Sequence, residues 1–164
     1  MKVVIADTSP VNYLVLIDTI EVLPRLYRRI VIPGEVLAEI PGTLPSVAAW
    51  AAARPDWLEV QHAPSTVDQA LQDLDSGEQA AIILAERHAD VLLLIDDSAG
   101  RAEASLRGIP TIGTLGVLRA AAVERFIDLP SALGRLLATN FRAPRSVIAD
   151  LMNENVQRPP DSMQ

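Results

Sequence analysis

The stretch VVIADTSPVN, residues 3–12, decides how this chain is read. Its first four residues, Val3 to Ala6, form the short unbroken apolar run required of a strand buried on both faces of a parallel sheet. The run stops at Asp7, and Thr8, Ser9 and Pro10 follow. A carboxylate at the end of a buried strand has two physical readings. It can cap a helix that begins near Pro10, or it can be a functional group held at the rim of the sheet, where open parallel sheets bind their ligands. These ten residues leave both open.

The pattern recurs down the chain. VLLLI at 91–95 is a second apolar run, and it ends on Asp96 and Asp97. Residues 30–32, 57–60 and 109–113 read as further strands. Between them lie helical stretches at 10–17, 20–28, 33–40, 46–53, 76–89, 98–107, 114–122, 130–138 and 144–155, with a break near Asp18 and Thr19 and a stop at Gly108. Strands alternating with helices predict an α/β protein, a three-layer α/β/α sandwich with a central parallel sheet. The 164 residues suit a single domain, expected over 1–155, with 156–164 as a disordered tail.

Composition narrows the chemistry. Nearly half of the residues (49%) are apolar but only 4% are aromatic, so the core is aliphatic. There is no cysteine, and His62 and His88 are the only imidazoles, which leaves no ligand set for zinc. The net charge of −7 argues against non-specific nucleic-acid binding and is compatible with acids gathered to hold metal ions. No signal-peptide pattern and no apolar stretch of membrane-spanning length is present, so a cytoplasmic location without membrane partners is the expectation.

Two further acids stand out by position. On a helical wheel Glu78 shares the face of Ala81, Ile82, Ala85 and Ala89, so it should sit at the mouth of the core. Equally, Asp75-Ser-Gly-Glu78 fits a capping box, and the two readings are evenly matched. In the helix PGEVLAEI, Glu39 lies nearer the apolar stripe of Val36, Leu37 and Ile40 than Glu35 does. At the second strand exit, one of Asp97 and Ser98 should cap the next helix, which leaves a carboxylate of the Asp96–Asp97 pair spare.

Three segments, IADTSPVNYLVLI, IPGEVLAEI and LDSGEQAAIILAERHADVLLLIDDSAGRAEASLRGIPTIGTLGVL, together resemble the PIN-domain family, most closely the small PIN nucleases grouped with bacterial VapC-type toxins. The resemblance covers residues 3 to about 155 and includes a D-x-G-E-x-x-A block and an I-D-D-x-x-G-R stretch. It implies an acidic pocket at Asp7, Glu39, Glu78 and Asp97, with Asp96 adjacent as a further metal ligand and Ser9 or Thr8 as a small hydroxyl beside it. Gly34 stands where many relatives carry a larger residue. The resemblance also implies RNA as substrate, a homodimer, and a cognate antitoxin that covers the pocket.

Phosphodiester hydrolysis needs an activated water and neutralisation of phosphate charge, and Mg²⁺ or Mn²⁺ in a cup of Asp and Glu oxygens suits both needs. The expected function is therefore a metal-dependent ribonuclease, the toxin of a type II toxin–antitoxin pair. Arg101, Arg107, Arg119, Arg142 and Arg145 are candidates to guide the strand. The alternatives are a nuclease outside such a pair and a PIN-fold interaction module. A phosphotransferase with a nucleophilic Asp would want Asp-x-Asp, and Ser9 occupies the second position. A receiver-type phosphoacceptor would want its acid pair after the first strand and a Lys near the last, and both are missing here.

Overall fold

The computed structural model describes residues 1–42 and 44–157, without the side chains of Pro41, Val156 and Gln157. Five strands, β1 (Val3–Ala6), β2 (Ile30–Pro33), β3 (Leu58–Gln61), β4 (Val91–Leu94) and β5 (Thr111–Ile112), form one sheet in the order β3-β2-β1-β4-β5. Every pairing is parallel, with Val3 opposite Val91, Ile5 opposite Val31 and Ile30 opposite Leu58.

Strand alternation sends the apolar residues to two separate cores. Val4, Ala6, Ile30, Ile32 and Leu94 point to one face, Ile5, Val31, Leu93 and Ile95 to the other. The first face is covered by α1 (Thr8–Leu16), α2 (Val22–Tyr27), α4 (Pro45–Ala53), α7 (Thr114–Val123), α8 (Leu129–Leu137) and α9 (Arg145–Gln157). The second is covered by α5 (Ser76–Ala85) and α6 (Ser98–Leu106). The short α3 (Gly34–Glu39) packs Val36 into the first core and also meets α5. This is the expected three-layer α/β/α sandwich. The chain runs outward from β1 through β2 to β3 and then returns to lay β4 on β1's other side. The switch point, where such sheets bind ligands, therefore lies at the carboxyl ends of β1 and β4.

Several boundaries differ from expectation, each for a local reason. Helix α1 starts at Thr8 rather than near Pro10; the proline sits in the first turn, where a missing N–H leaves no helical bond unmade. Pro33 closes β2 in an extended conformation (φ −62°, ψ 151°) instead of opening α3. Helix α2 is trimmed by Arg28 in a positive-φ conformation, and Asp18 (φ 57°) makes the predicted break. Helix α5 ends at Ala85, four residues early. Arg87 and His88 donate to the carbonyls of Leu84 and Ala85 three residues back, which tightens the last turn and leaves Ala89 exposed. Strand β5 shrinks to two residues because Gly113 is already the N-cap of α7. Gly108 (φ 70°) closes α6 as read. Helix α9 continues to Gln157, two residues into the expected tail; the rest of that tail lies outside the described residues. Gly34 also has a physical reason, because a Cβ there would fall 2.5 Å from Nδ1 of His62.

Candidate functional site

Asp7 occupies the N-cap position of α1, yet its side chain makes no capping hydrogen bond. The carboxylate is 3% exposed, and its Oδ1 has no hydrogen-bond partner. A buried carboxylate with an oxygen left unpartnered is costly in its charged form. Burial accordingly pushes its pKa up to about 7, with the neighbouring charges of Asp75, Glu78 and Glu39 adding to the rise and the backbone N–H of Thr8 opposing it. The capping reading of the opening stretch therefore does not account for Asp7.

What surrounds it is assembled from α3 and the start of α5. Glu39, at the end of α3, accepts hydrogen bonds from Thr8 Oγ1 (2.7 Å), from Ser76 Oγ (3.2 Å) and from the Gly77 N–H (2.9 Å). With glycine at residue 77 the α5 turn comes this close while the Glu39 carboxylate keeps its place. A Cβ there would lie 2.6 Å from Glu39 Oε2 and 2.8 Å from Oε1. Two residues before Gly77, Asp75 completes a group: carboxylate oxygens of Asp7, Glu39 and Asp75 all lie within 4.8 Å of one another.

Glu78 satisfies both readings of its sequence. Its Oε2 accepts from the Asp75 N–H (3.2 Å) while Asp75 Oδ1 accepts from the Glu78 N–H (2.8 Å), a complete capping box. It is also half-buried, and desolvation raises its pKa to about 7, assisted by the charges of Asp75, Asp97 and Glu39 and opposed by its own hydrogen bond from Asp75. A capping acid is ordinarily ionised; here burial, with the crowding of like charge added to it, works against the ionised form.

The Asp96–Asp97 pair divides its work differently from the expectation of one cap and one spare acid. Asp97 is the exposed N-cap of α6, where Oδ2 accepts from the Gly100 N–H (2.8 Å), and its charge reaches Glu78. Asp96 is not spare. Its Oδ1 accepts from the Thr114 N–H (2.7 Å) and its Oδ2 from the Thr114 hydroxyl (2.6 Å), so it clamps the exit of β4 to the first residue of α7. Thr114 is fully buried. Asp96→Ala leaves two buried donors unmatched and is expected to cost about 3 kcal/mol and roughly 10 °C of melting temperature. Asp97→Ala removes one exposed cap and should cost about 1 kcal/mol. Thermal melts of the two variants compare them directly.

Of the residues singled out in the sequence, the structure thus brings Asp7 and Glu39 together, with Thr8 bonded to Glu39 and Glu78 alongside. Asp97 borders the group through Glu78, and both oxygens of Asp96 accept from Thr114. Ser9 lies in the first turn of α1, and among the described residues no hydrogen bond ties its hydroxyl to the acids. The residue missed was Asp75. Its signal, the first position of the D-x-G-E block, was read only as a helix cap.

No Lys or Arg among the described residues forms an ion pair with Asp7, Glu39, Asp75, Glu78 or Asp97. Clustered negative charge without a cationic side chain must be neutralised by protons or by a bound cation. The donor set is all hard carboxylate oxygen, which fits Mg²⁺, Mn²⁺ or Ca²⁺ and excludes thiophilic metals. The unpartnered Oδ1 of Asp7 is the atom most in need of such a partner.

No helix among the described residues is long and apolar enough to cross a membrane. A search of curated proteins finds no match. A family model described as PIN domain matches residues 3–156, which spans every element of the sandwich and all the acids described above. The chain therefore belongs to the PIN-domain family, whose members are generally nucleases.

Proposed function

We propose that this protein is a Mg²⁺- or Mn²⁺-dependent endoribonuclease and the toxin of a type II toxin–antitoxin pair, of the VapC-like kind. The observation that carries the chemistry is the buried carboxylate of Asp7, its Oδ1 without a hydrogen-bond partner, grouped with Glu39 and Asp75 so that carboxylate oxygens of the three lie within 4.8 Å of one another. Asp7, Glu39 and Asp75 would hold the ion, with Glu78 and then Asp97 completing the acidic rim. A divalent ion so held supplies charge neutralisation at the phosphate and a water of lowered pKa.

The chain's own residues do the rest. Thr8, Ser76 and the Gly77 N–H fix the Glu39 carboxylate, so its oxygens are aimed before any ligand arrives. Glu78, with a pKa near 7, can accept or release a proton at neutral pH while remaining anchored through its capping box. The acids lie at the carboxyl ends of β1 and β4, the switch point at which open parallel sheets bind their ligands.

RNA as substrate, a homodimer, a cytoplasmic location and an antitoxin partner rest on the family resemblance. Purified protein incubated with defined RNA and DNA oligonucleotides should cleave RNA in Mg²⁺ or Mn²⁺ and fall silent in EDTA. Induction of the gene should arrest growth, with relief by the product of the neighbouring gene. Cleavage without arrest would leave the nuclease and remove the toxin. Neither cleavage nor arrest would leave an interaction module.

A further inference from the structure

Of the five arginines that are candidates to guide a strand, Arg145 is exposed at the start of α9 and does not line the cleft that Arg101 and Arg142 share, and the remaining four fall into two pairs. Arg107 is consumed by Asp68, Glu86 and Glu103 at 2.8–3.0 Å, and Arg119 is paired with Glu154 at 2.6 Å. Arg101 and Arg142, by contrast, line one cleft of about 470 Å³ and are both exposed. Among the described residues neither forms an ion pair. Arg142 Nη1 reaches only the neighbouring Phe141 carbonyl (3.4 Å), so in a chain of net charge −7 the cleft gathers two guanidinium groups whose charge no acid among the described residues pairs. A guanidinium cannot discharge itself, and its planar fork matches phosphate.

The cleft is built and placed to use that charge. It runs along the end of β5 and the first turn of α7 (Gly113, Leu115) to the segment Phe141–Pro144 and α9. Arg101 lies across its floor, where a Cβ on Gly113 would come within 3.0 Å of Nη1. The far wall is anchored. Phe141 packs edge-on against Tyr13 at 5.0 Å, the Tyr13 hydroxyl donates to Asn140 Oδ1 (2.9 Å), and the Phe141 N–H donates to Thr139 Oγ1 (3.2 Å). The one acid in the lining, Asp96, has both oxygens engaged by Thr114. Asp96 is also the neighbour in sequence of Asp97, which borders the acidic site. The cleft and the acids therefore share the exit of β4.

We propose that this cleft seats the single-stranded RNA next to the bond that is cut, with Arg101 and Arg142 holding a flanking phosphate and the half-buried ring of Phe141 offering a face to its base. A basic groove with an aromatic platform is the general chemistry of single-strand binding. The inference rests on the nuclease reading for its substrate class, but binding can be measured apart from cleavage.

The test is fluorescence anisotropy of a labelled single-stranded oligoribonucleotide with Ca²⁺ in place of Mg²⁺, alongside cleavage kinetics in Mg²⁺. Arg101→Gln and Arg142→Gln are each expected to weaken binding about 5- to 10-fold and to lower the slope of log K against log salt by about 0.7. KM should rise while kcat stays within about twofold. Phe141→Leu should weaken binding with no change in salt slope. Circular dichroism confirms that each variant folds. If wild type binds RNA through these residues but cuts nothing, the cleft proposal stands and the nuclease reading falls. If wild type cuts RNA while the arginine variants keep its affinity and salt slope, the proposal is overturned and the nuclease stands. Retained RNA binding with lost affinity for the neighbouring gene's protein would likewise overturn it, because the cleft would then be a protein site.

Discussion

Asp7→Asn will lower metal-dependent RNA cleavage by more than about 100-fold and will raise the melting temperature of the metal-free protein at pH 8. Loss of activity is the familiar half. Disturbing a residue that merely orients a metal ligand costs 10- to 100-fold, and Asp7 is proposed as a direct ligand. The gain in stability is the informative half. Asp7 is buried beside Glu39, Asp75 and Glu78 and meets no cationic side chain, so its ionised form is a burden on the fold. Asparagine keeps the shape, removes the charge and brings an N–H₂ group that the adjacent carboxylates can accept. Cleavage rates in Mn²⁺ and thermal melts in EDTA check the two halves separately. A variant that retained activity would remove Asp7 from the site. A variant that melted lower than wild type at pH 8 would show that the carboxylate serves the fold.

The opening stretch made the strand and its terminal acid plain and left the role of that acid open. Local rules predict that an Asp before a helix caps it, and a capping Asp has a partner in the first turn. Asp7 has the position without the capping bond, and only the structure shows that. The strands at residues 3–6 and 91–94 were equally plain, because continuous aliphatic runs have few other uses in a chain this poor in aromatics. Asp75 was hidden for the opposite reason. It does everything a capping residue should, and nothing in the local pattern remained to be explained. Its second role comes from Glu39, thirty-six positions away, brought in by the packing of α3 on α5. The Asp96–Asp97 pair failed in the same way. The partner that occupies Asp96 is eighteen residues downstream, and no spacing rule announces that Thr114 will arrive there. Sequence periodicity reports which face a residue takes. It does not report which distant donor meets it on that face.

The same crowding makes the stability of the metal-free protein depend on pH in a definite direction. The unfolded Asp7 carboxyl loses its proton near 3.8, and the folded one holds it to about 7. Below the first value both states are protonated and the folded chain suffers no penalty. Between the two values only the folded chain keeps the proton, so stability falls with each step upward in pH and the loss is complete above about 7. For Asp7 the whole window is worth about 4 kcal/mol, most of it between pH 5 and pH 8. Glu78 acts in the same sense, from 4.5 to about 7, with a smaller effect because solvent screens it. In EDTA the melting temperature of wild type should therefore drop relative to Asp7→Asn by roughly 10 °C between pH 5 and pH 8. Saturating Mn²⁺ should narrow the gap at pH 8, since binding to the ionised cluster stabilises wild type by about 2.7 kcal/mol at a hundredfold excess over Kd, less than the penalty of about 4 kcal/mol, and has little to hold in the variant. Melts at the two pH values, with EDTA and with Mn²⁺, supply all four comparisons. A wild-type curve parallel to that of Asp7→Asn in EDTA would mean that Asp7 is ionised without cost. The acids would then have no need of a cation.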